Sequence, residues 1–304
     1  MTDSFNQHLQ IFAPVITAIF LESAPFLCLG ALVSALIEVY LPQDRVRRFI
    51  PENPFGGLLL GLGAGLAVPT CECAVVPIVR RLLKKGVPPH TAIPYMLAAP
   101  VINPIVLAST YVAFRGSIWM VLGRIFLVAV PAICIGLALI KSDSASVLRR
   151  ESVSDGVPQG FGQEGESRSR LADILLHTAT EFLEMGKYLL LGAFAVGLFK
   201  VFVPQEVLGL VETDVFLAIG TMMALAILLS ICSEADAFVA VSFTFFPRIA
   251  QLSFVSIGPM VDLKLMMMYA GVFRRRLVLA LIIVPILTTY LISAMLGGII
   301  RWVP

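Results

Sequence analysis

Phe20–Gln43 reads FLESAPFLCLGALVSALIEVYLPQ, and Phe182–Gln205 reads FLEMGKYLLLGAFAVGLFKVFVPQ. Without a gap, about eleven of the twenty-four positions are identical. The offset is 162 residues (Glu22 to Glu184), and carried along the chain it pairs Glu72 with Glu234 and Pro100 with Asp262. The chain is therefore two copies of one apolar unit. Duplicated hydrophobic units are the mark of many transporters, whose sites form where the halves meet.

Composition places both copies in a membrane. Mean hydropathy over the 304 residues is +0.93, 58% of residues are hydrophobic, and only 14% are charged. A soluble domain carries about 25% charged residues. Residues 11–41 and 171–203 are apolar runs longer than the roughly 20 residues that span a bilayer, so tilt is expected. The net charge of +2 comes without a basic, aromatic-interleaved patch, which excludes nucleic acid as a partner. The N-terminus, MTDSFNQHLQ, has no basic leader and no cleavage signal. The five cysteines form no secreted disulfide pattern.

The organisation follows from composition shifts. Residues 1–140 form a first transmembrane repeat, 141–170 a polar, flexible and cytoplasmic linker, and 171–304 a second repeat. Basic loops face the cytoplasm. The loop after the first span holds Arg45, Arg47 and Arg48, whereas its counterpart holds Glu206, Glu212 and Asp214. Opposite bias in matching loops predicts inverted repeats. Each would be all-α, with three crossings plus a re-entrant or broken helical hairpin at residues 55–85 and its counterpart. In the competing reading residues 55–85 cross fully and the repeats run parallel. That places Arg80, Arg81, Lys84 and Lys85 opposite the first basic loop, against the charge bias. Arg115, Arg248 and Arg301 are the minority against the inverted reading.

The chemistry sits in the breaks. Pro69-Thr70-Cys71-Glu72-Cys73 halts a helix within apolar surroundings, where irregular backbone is tolerated only if protein or a cavity satisfies it. Thiolates suit soft ions such as Zn(II), Cu(I) or a trivalent metalloid. The repeat partner is Cys232-Ser233-Glu234-Ala235-Asp236. In an inverted fold Cys71, Cys73 and Cys232 would surround one pocket, with Glu72, Glu234 and Asp236 nearby. A third pair of breaks, Ala98–Pro104 and Gly258–Lys264, brings Asn103 and Asp262 as substrate contacts or helix caps. Glu22 and Glu184 lie inside spans, where an acid costs about 2.5–3.5 kcal/mol, and are candidates for proton or ion coupling. Pairing of Glu184 with Lys187 is the bland alternative. Cys28, Cys134 and Met266 to Met268 read as packing residues, Arg124 as snorkelling or paired, and Trp119 and Trp302 as interfacial anchors.

The segments PTCECAVVPIVRRLLKKGVPPHTAIPYMLAAPVINPIVLASTYVAF, ICSEADAFVAVSF and GPMVDLK resemble the bacterial predicted-permease family of the ArsP/YraQ/YcgR type, closest to its YcgR-like branch. The resemblance covers nearly the whole chain apart from the linker and implies an inner-membrane permease. The ArsP branch exports trivalent organoarsenicals through cysteine contacts, which would fall on Cys71 and Cys73. This chain departs from that branch in its charged CEC and acidic CSEAD, which fit a cationic metal or metal complex at least as well.

The expectation is a multi-pass permease of the bacterial plasma membrane, not an enzyme. It would move a thiophilic solute by alternating access, without a resident cofactor. No GxxxxGK phosphate loop appears, so an ion gradient or a partner protein must supply the energy. The partners read from the chain are the lipid bilayer and a small inorganic or organometallic solute, with an accessory subunit and a homodimer left open. A thiol-redox membrane enzyme using the CxC pair, or a non-transporting subunit of a larger complex, are the alternatives.

Overall fold

A computed structural model describes residues 2–40, 51, 53–68, 70–149, 170–202 and 214–300. The expectations for Arg45, Arg47, Arg48, Pro69, Glu206, Glu212, Arg301 and Trp302, and for most of the linker, lie outside the described residues. What is described is helical, without a strand among those residues. The first half holds α1 (Thr2–Tyr40), α2 (Pro54–Ala67), α3 (Glu72–Lys84), α4 (Pro89–Ala98), α5 (Pro104–Ala113) and α6 (Ile118–Ala138). A single turn, α7 (Ser144–Val147), follows. The second half holds α8 (Arg170–Phe202), α9 (Val215–Leu229), α10 (Asp236–Ser242), α11 (Arg248–Ile257), α12 (Leu263–Val272) and α13 (Arg275–Ile300).

Local chemistry sets the boundaries. Asn53, Asn103, Asp214 and Asp262 each cap a helix start, their side-chain oxygens accepting from a backbone N–H of the first turn. Pro54 and Pro104 occupy the first helical position, where a missing N–H costs nothing. The third pair of breaks splits what composition alone shows as continuous apolar runs, giving α4/α5 and α11/α12. Asn103 and Asp262 play the same capping role, so the repeat offset is 159 residues here. The constant offset that paired Pro100 with Asp262 fails because the segment around the short helix α10 is three residues shorter than its counterpart around α3.

Glycines carry the tightest packing. Gly57, Gly61 and Gly65 form one face of α2 against α4. A Cβ on Gly65 would sit 2.7 Å from the Ala99 Cα, and one on Gly57 would sit 2.6 Å from the Thr91 hydroxyl. The two helices therefore run parallel. Thr91 lies just beyond the end of α3, so the hairpin α2–α3 starts and finishes at one level. At that level Lys85 Nζ donates to the Glu38 carbonyl at 2.9 Å, near the end of α1. Ser144 Oγ donates to the Val87 carbonyl at 3.1 Å. Leu148 forms an antiparallel bridge with Phe273, flanked by Arg149 N–H to Val272 O and Arg274 N–H to Val147 O, both 3.0 Å. The first residues of the expected linker are thus docked on the second half. We call this the basic end.

The hairpin α9–α10 opens to the far end. Gly297, close to the end of α13, lies against Val215 and Ile249, which begin α9 and α11. Gln251 donates to the Phe243 carbonyl at 3.0 Å, and Arg248 stacks 5.6 Å from the centre of the Phe114 ring. Between the ends, α1 and α8 pack antiparallel. Ser34 meets Glu181 near one end, while Ile19 clusters with Ala193 and Val196 near the other. Three described helices are long and apolar enough to cross a membrane: Ile16–Tyr40, Ile118–Ala138 and Arg275–Gly298. Helix α8 carries Glu181, Glu184 and Lys187 and is not among them. Leu21, Leu183, Trp119 and Met295 point outward, an apolar exterior of the kind lipid covers. Trp119 sits at the start of α6, as an anchor would.

Candidate functional site

Three breaks meet in the middle of the bundle. Helix α3 begins at Glu72, whose carboxylate is buried with 1% exposure. Lys264, in the first turn of α12 and equally buried, donates to Glu72 Oε1 at 3.1 Å. The other oxygen, Oε2, accepts from Ser233 Oγ at 3.2 Å and from the Cys232 thiol at 3.9 Å. Lys264 also reaches the Ser230 carbonyl at 3.4 Å and Asp262 Oδ2 at 3.8 Å. The CEC, CSEAD and GPMVDLK segments are therefore joined through one buried ion pair. An unpaired charge at this depth would cost several kcal/mol, which is why acid and base are found together.

A second pair adjoins the first. Arg124 of α6 is fully buried and donates to Asp236 Oδ2 at 2.6 Å, to Thr110 Oγ1 at 2.6 Å and to the Ser233 carbonyl at 3.4 Å. Ser233 links the pairs: its hydroxyl serves Glu72 and its carbonyl serves Arg124. Arg124 is thus paired rather than snorkelling.

The thiols adjoin this core through Glu72, which Cys71 and Cys73 flank in the chain and to which Cys232 donates. Cys71 is the extended residue capping α3, and Cys73 lies in its first turn within hydrogen-bond reach of the buried Ser23 on α1. Cys232 also donates to Glu234 at 3.6 Å. All three are buried and outside any disulfide. Cys28 and Cys134, expected to pack, are instead exposed on the apolar exterior. Among the described residues no three His, Cys, Asp or Glu side chains stand in a metal-holding arrangement. The sulfurs and carboxylates are neighbours, but lysine and arginine occupy the carboxylates.

The remaining candidates divide. Asp262 caps α12, accepting from the Leu265 N–H at 2.6 Å, and faces Lys264. Asn103 is spent locally: its oxygen accepts from the Val106 N–H at 2.9 Å, and its amide donates to the Ala99 and Pro100 carbonyls at 3.2 and 3.4 Å. Glu22 is exposed on α1 and lies within electrostatic reach of the partly buried Glu234. Glu184 is elsewhere. It accepts from Arg80 at 2.7 Å at the basic end, while Lys187 lies over the Tyr188 ring, 5.0 Å from its centre.

Sequence reasoning missed the network around Glu184. Arg81 bridges Glu181 at 2.6 Å and Glu38 at 3.5 Å, and Lys85 reaches Glu38 at 3.4 Å. The available signal was the i, i+3 spacing of Glu181 and Glu184, which presents both acids on one face of α8. Also missed was the role of Leu-Gly-Ala, identical in both copies at Gly30 and Gly192. A Cβ on Gly30 would lie 2.7 Å from the Ala74 Cα, and one on Gly192 would lie 2.5 Å from the Lys264 Cα. These glycines let the long helices approach the two breaks that form the central ion pair.

Similarity to known proteins accords with this architecture. The family model described as "Predicted permease" (ArsP_1) matches residues 8–299. The chain is 37% identical over 282 residues to a Streptococcus mutans protein named "Putative two-component membrane permease complex subunit", covering 92% of this chain and 91% of that one. It is 36% identical over 286 residues to the UPF0718 protein YcgR of Bacillus subtilis, covering 93% and 94%. A shorter match, 30% over 76 residues, covers 25% of this chain and 22% of the UPF0718 protein YraQ of Escherichia coli. No solved structure matches. With the family model spanning nearly the whole chain and two full-length relatives above one-third identity, the chain belongs to this ArsP-type predicted-permease family.

Proposed function

We propose that this protein carries a small thiophilic solute across the bacterial plasma membrane by alternating access. The solute would be a soft metal ion, a metal complex or a trivalent metalloid, bound between the CEC and CSEAD breaks. What supports the reading is the buried Glu72–Lys264 pair, with Cys71 and Cys73 on either side of Glu72 in the chain and the Cys232 thiol donating to the Glu72 carboxylate at 3.9 Å. Carboxylates outnumber cations there: Glu72, Asp236 and Asp262 pair with Lys264 and Arg124, and Glu234 lies beside Cys232. That balance favours a cationic or neutral solute over an anion. A cation displaces Lys264 from Glu72 as it binds; a neutral species takes thiolate alone. Asp262 and Asn103 hold helix starts in position, and Glu22 with Glu234 forms an acidic approach to Cys232. Glu184 belongs to the ion-pair cluster that ties α3 to α8, which must open if solute leaves at the basic end.

The halves are read as inverted copies. The antiparallel packing of α1 on α8 and the opposite openings of α2–α3 and α9–α10 support this. With basic loops inward, the basic end and the linker face the cytoplasm. The test is transport by the purified chain in liposomes loaded with candidate soft metals and metalloids. Wild type should accumulate or release one of them, and Cys71→Ser/Cys73→Ser/Cys232→Ser should lose most of that flux. Equal flux in both would sink the reading. The name of the Streptococcus relative favours a second arrangement, in which the chain works with an accessory subunit. Transport that appears only when a co-purifying protein is added back would select it.

A further inference from the structure

The two halves fill one capping position with different residues. Asn103 and Asp262 each start the second half-helix of a broken span, and each spends its Oδ1 on a backbone N–H of the first turn. Asparagine is therefore sufficient for the cap. The Asn103 amide is used up on the Ala99 and Pro100 carbonyls. In its place Asp262 carries a second carboxylate oxygen, Oδ2. That oxygen is buried, accepts no hydrogen bond among the described residues, and faces Lys264 Nζ at 3.8 Å. A buried acceptor left open needs a reason beyond capping.

One lysine thus stands between two carboxylates, 3.1 Å from Glu72 and 3.8 Å from Asp262. With all three ionised, the trio carries one net negative charge, whereas Arg124 and Asp236 balance each other. The two buried cations also differ in how they are held. Arg124 makes two bonds of 2.6 Å, to Thr110 on α5 and to Asp236 on α10. Every contact of Lys264 is looser, at 3.1, 3.4 and 3.8 Å. Gly192 abuts the Lys264 Cα, so the backbone is fixed and the motion left to the residue is that of its flexible four-carbon stem. Resting on the reading that solute binds between the CEC and CSEAD breaks, we propose that Lys264 is a two-position switch that makes the site select a cation: a soft metal cation takes its place on Glu72, and Asp262 Oδ2 receives the displaced ammonium. Asp262 is then a positioning residue, acting on the solute through the lysine. A cation supplies the positive charge that the trio lacks. A neutral metalloid leaves Glu72 and Lys264 paired and the buried imbalance uncorrected. The Arg124–Asp236 pair stays closed throughout and holds α6 to α10.

The full chain, purified in a neutral detergent, tests this by equilibrium binding and thermal denaturation. The probes are Zn(II) and arsenite, which is uncharged at neutral pH. Wild type should bind Zn(II) more tightly than arsenite; the reverse order would overturn selection for a cation. Asp262→Asn keeps the cap, as Asn103 does, and should leave the metal-free melting midpoint nearly unchanged. It should weaken Zn(II) binding about tenfold, the worth of one hydrogen bond to a charged group, and leave arsenite binding as it was. In a Lys264→Met background, or Lys264→Gln where the methionine variant does not fold, Zn(II) should raise the midpoint more than in wild type. Asp262→Asn should then change Zn(II) affinity by no more than about twofold, because the two residues act as one unit. The full tenfold loss in that background would make Asp262 a direct ligand and overturn the switch. Equal loss of arsenite and Zn(II) binding in Asp262→Asn would mean a general disturbance of the site and overturn it too. Binding of neither probe to wild type would remove the site between the breaks and the switch with it. Zn(II) binding that ignores Asp262→Asn would remove the switch alone.

Discussion

At the scale of single residues, the central fact is a lysine and a glutamate sharing a dry site. Lys264→Met leaves Glu72 buried without its partner, and breaking such a pair costs about 3–5 kcal/mol. The double variant Lys264→Met/Glu72→Gln removes both charges and should recover most of that stability in denaturation measurements while remaining inactive in transport. A double variant no more stable than the single one would show that the pair is not what holds the breaks together. The thiols allow a second expectation. In detergent, a bulky apolar alkylating reagent should modify the outward-facing Cys28 and Cys134 far faster than the buried Cys71, Cys73 and Cys232, and bound solute should slow the latter further. Equal rates would contradict the enclosed position of the CEC thiols. The residue types of this site were legible in the sequence. Acids inside apolar runs have no cheap place in lipid, so each had to be functional or paired, and the cysteines of the CEC and CSEAD breaks stood beside them. Their partners were not legible, because Lys264 lies 192 positions from Glu72 and Arg124 lies 112 from Asp236.

At the scale of elements, small residues decide which helices touch. Gly61 lies with the Thr91 carbonyl directly over it, whereas Gly63 on the same helix faces open space. Gly61→Leu should force α2 from α4 and lower the melting midpoint by several degrees. Gly63→Leu, with the same change in helix propensity, should be nearly neutral. Similar losses in both would mean that propensity rather than close approach governs the position. The same contrast holds on α8, where Gly192 abuts the Lys264 backbone and Gly186 has nothing within 4 Å. The helix start at Asn103 was readable from the sequence, whereas the caps at Asn53 and Asp214 emerged only in the structure. The splitting of residues 89–114 and 250–273 into two half-helices each followed from Pro100 and Pro259. The docking of Val147–Arg149 on Val272–Arg274 had no such signal, since a polar, serine-rich stretch reads as linker whether or not it finds a partner.

At the scale of the whole molecule, the two hairpins open at opposite ends. In a background without the five native cysteines, a cysteine placed at Lys85 and one placed at Phe245 should react with an impermeant reagent from opposite sides of the membrane. Reaction from one side would make the repeats parallel and end the inverted reading. Transport under that reading also requires the Arg80, Arg81, Glu181 and Glu184 cluster to part. Glu181→Gln weakens that closure, and its effect should appear in the rate of solute exchange before it appears in solute affinity. An unchanged exchange rate would remove the cluster from the pathway. The amino-acid sequence by itself determined the membrane habitat, the duplication and the chemistry available at the breaks, because hydropathy, self-similarity and the cost of burying charge are local properties of the chain. Only the tertiary structure decided that Asn103 is spent as a cap, that Glu184 belongs to Arg80, and that Glu72 is held by Lys264. Which charges neutralise one another depends on distances across helices far apart in sequence, and in a low-dielectric interior those pairings outweigh every local preference.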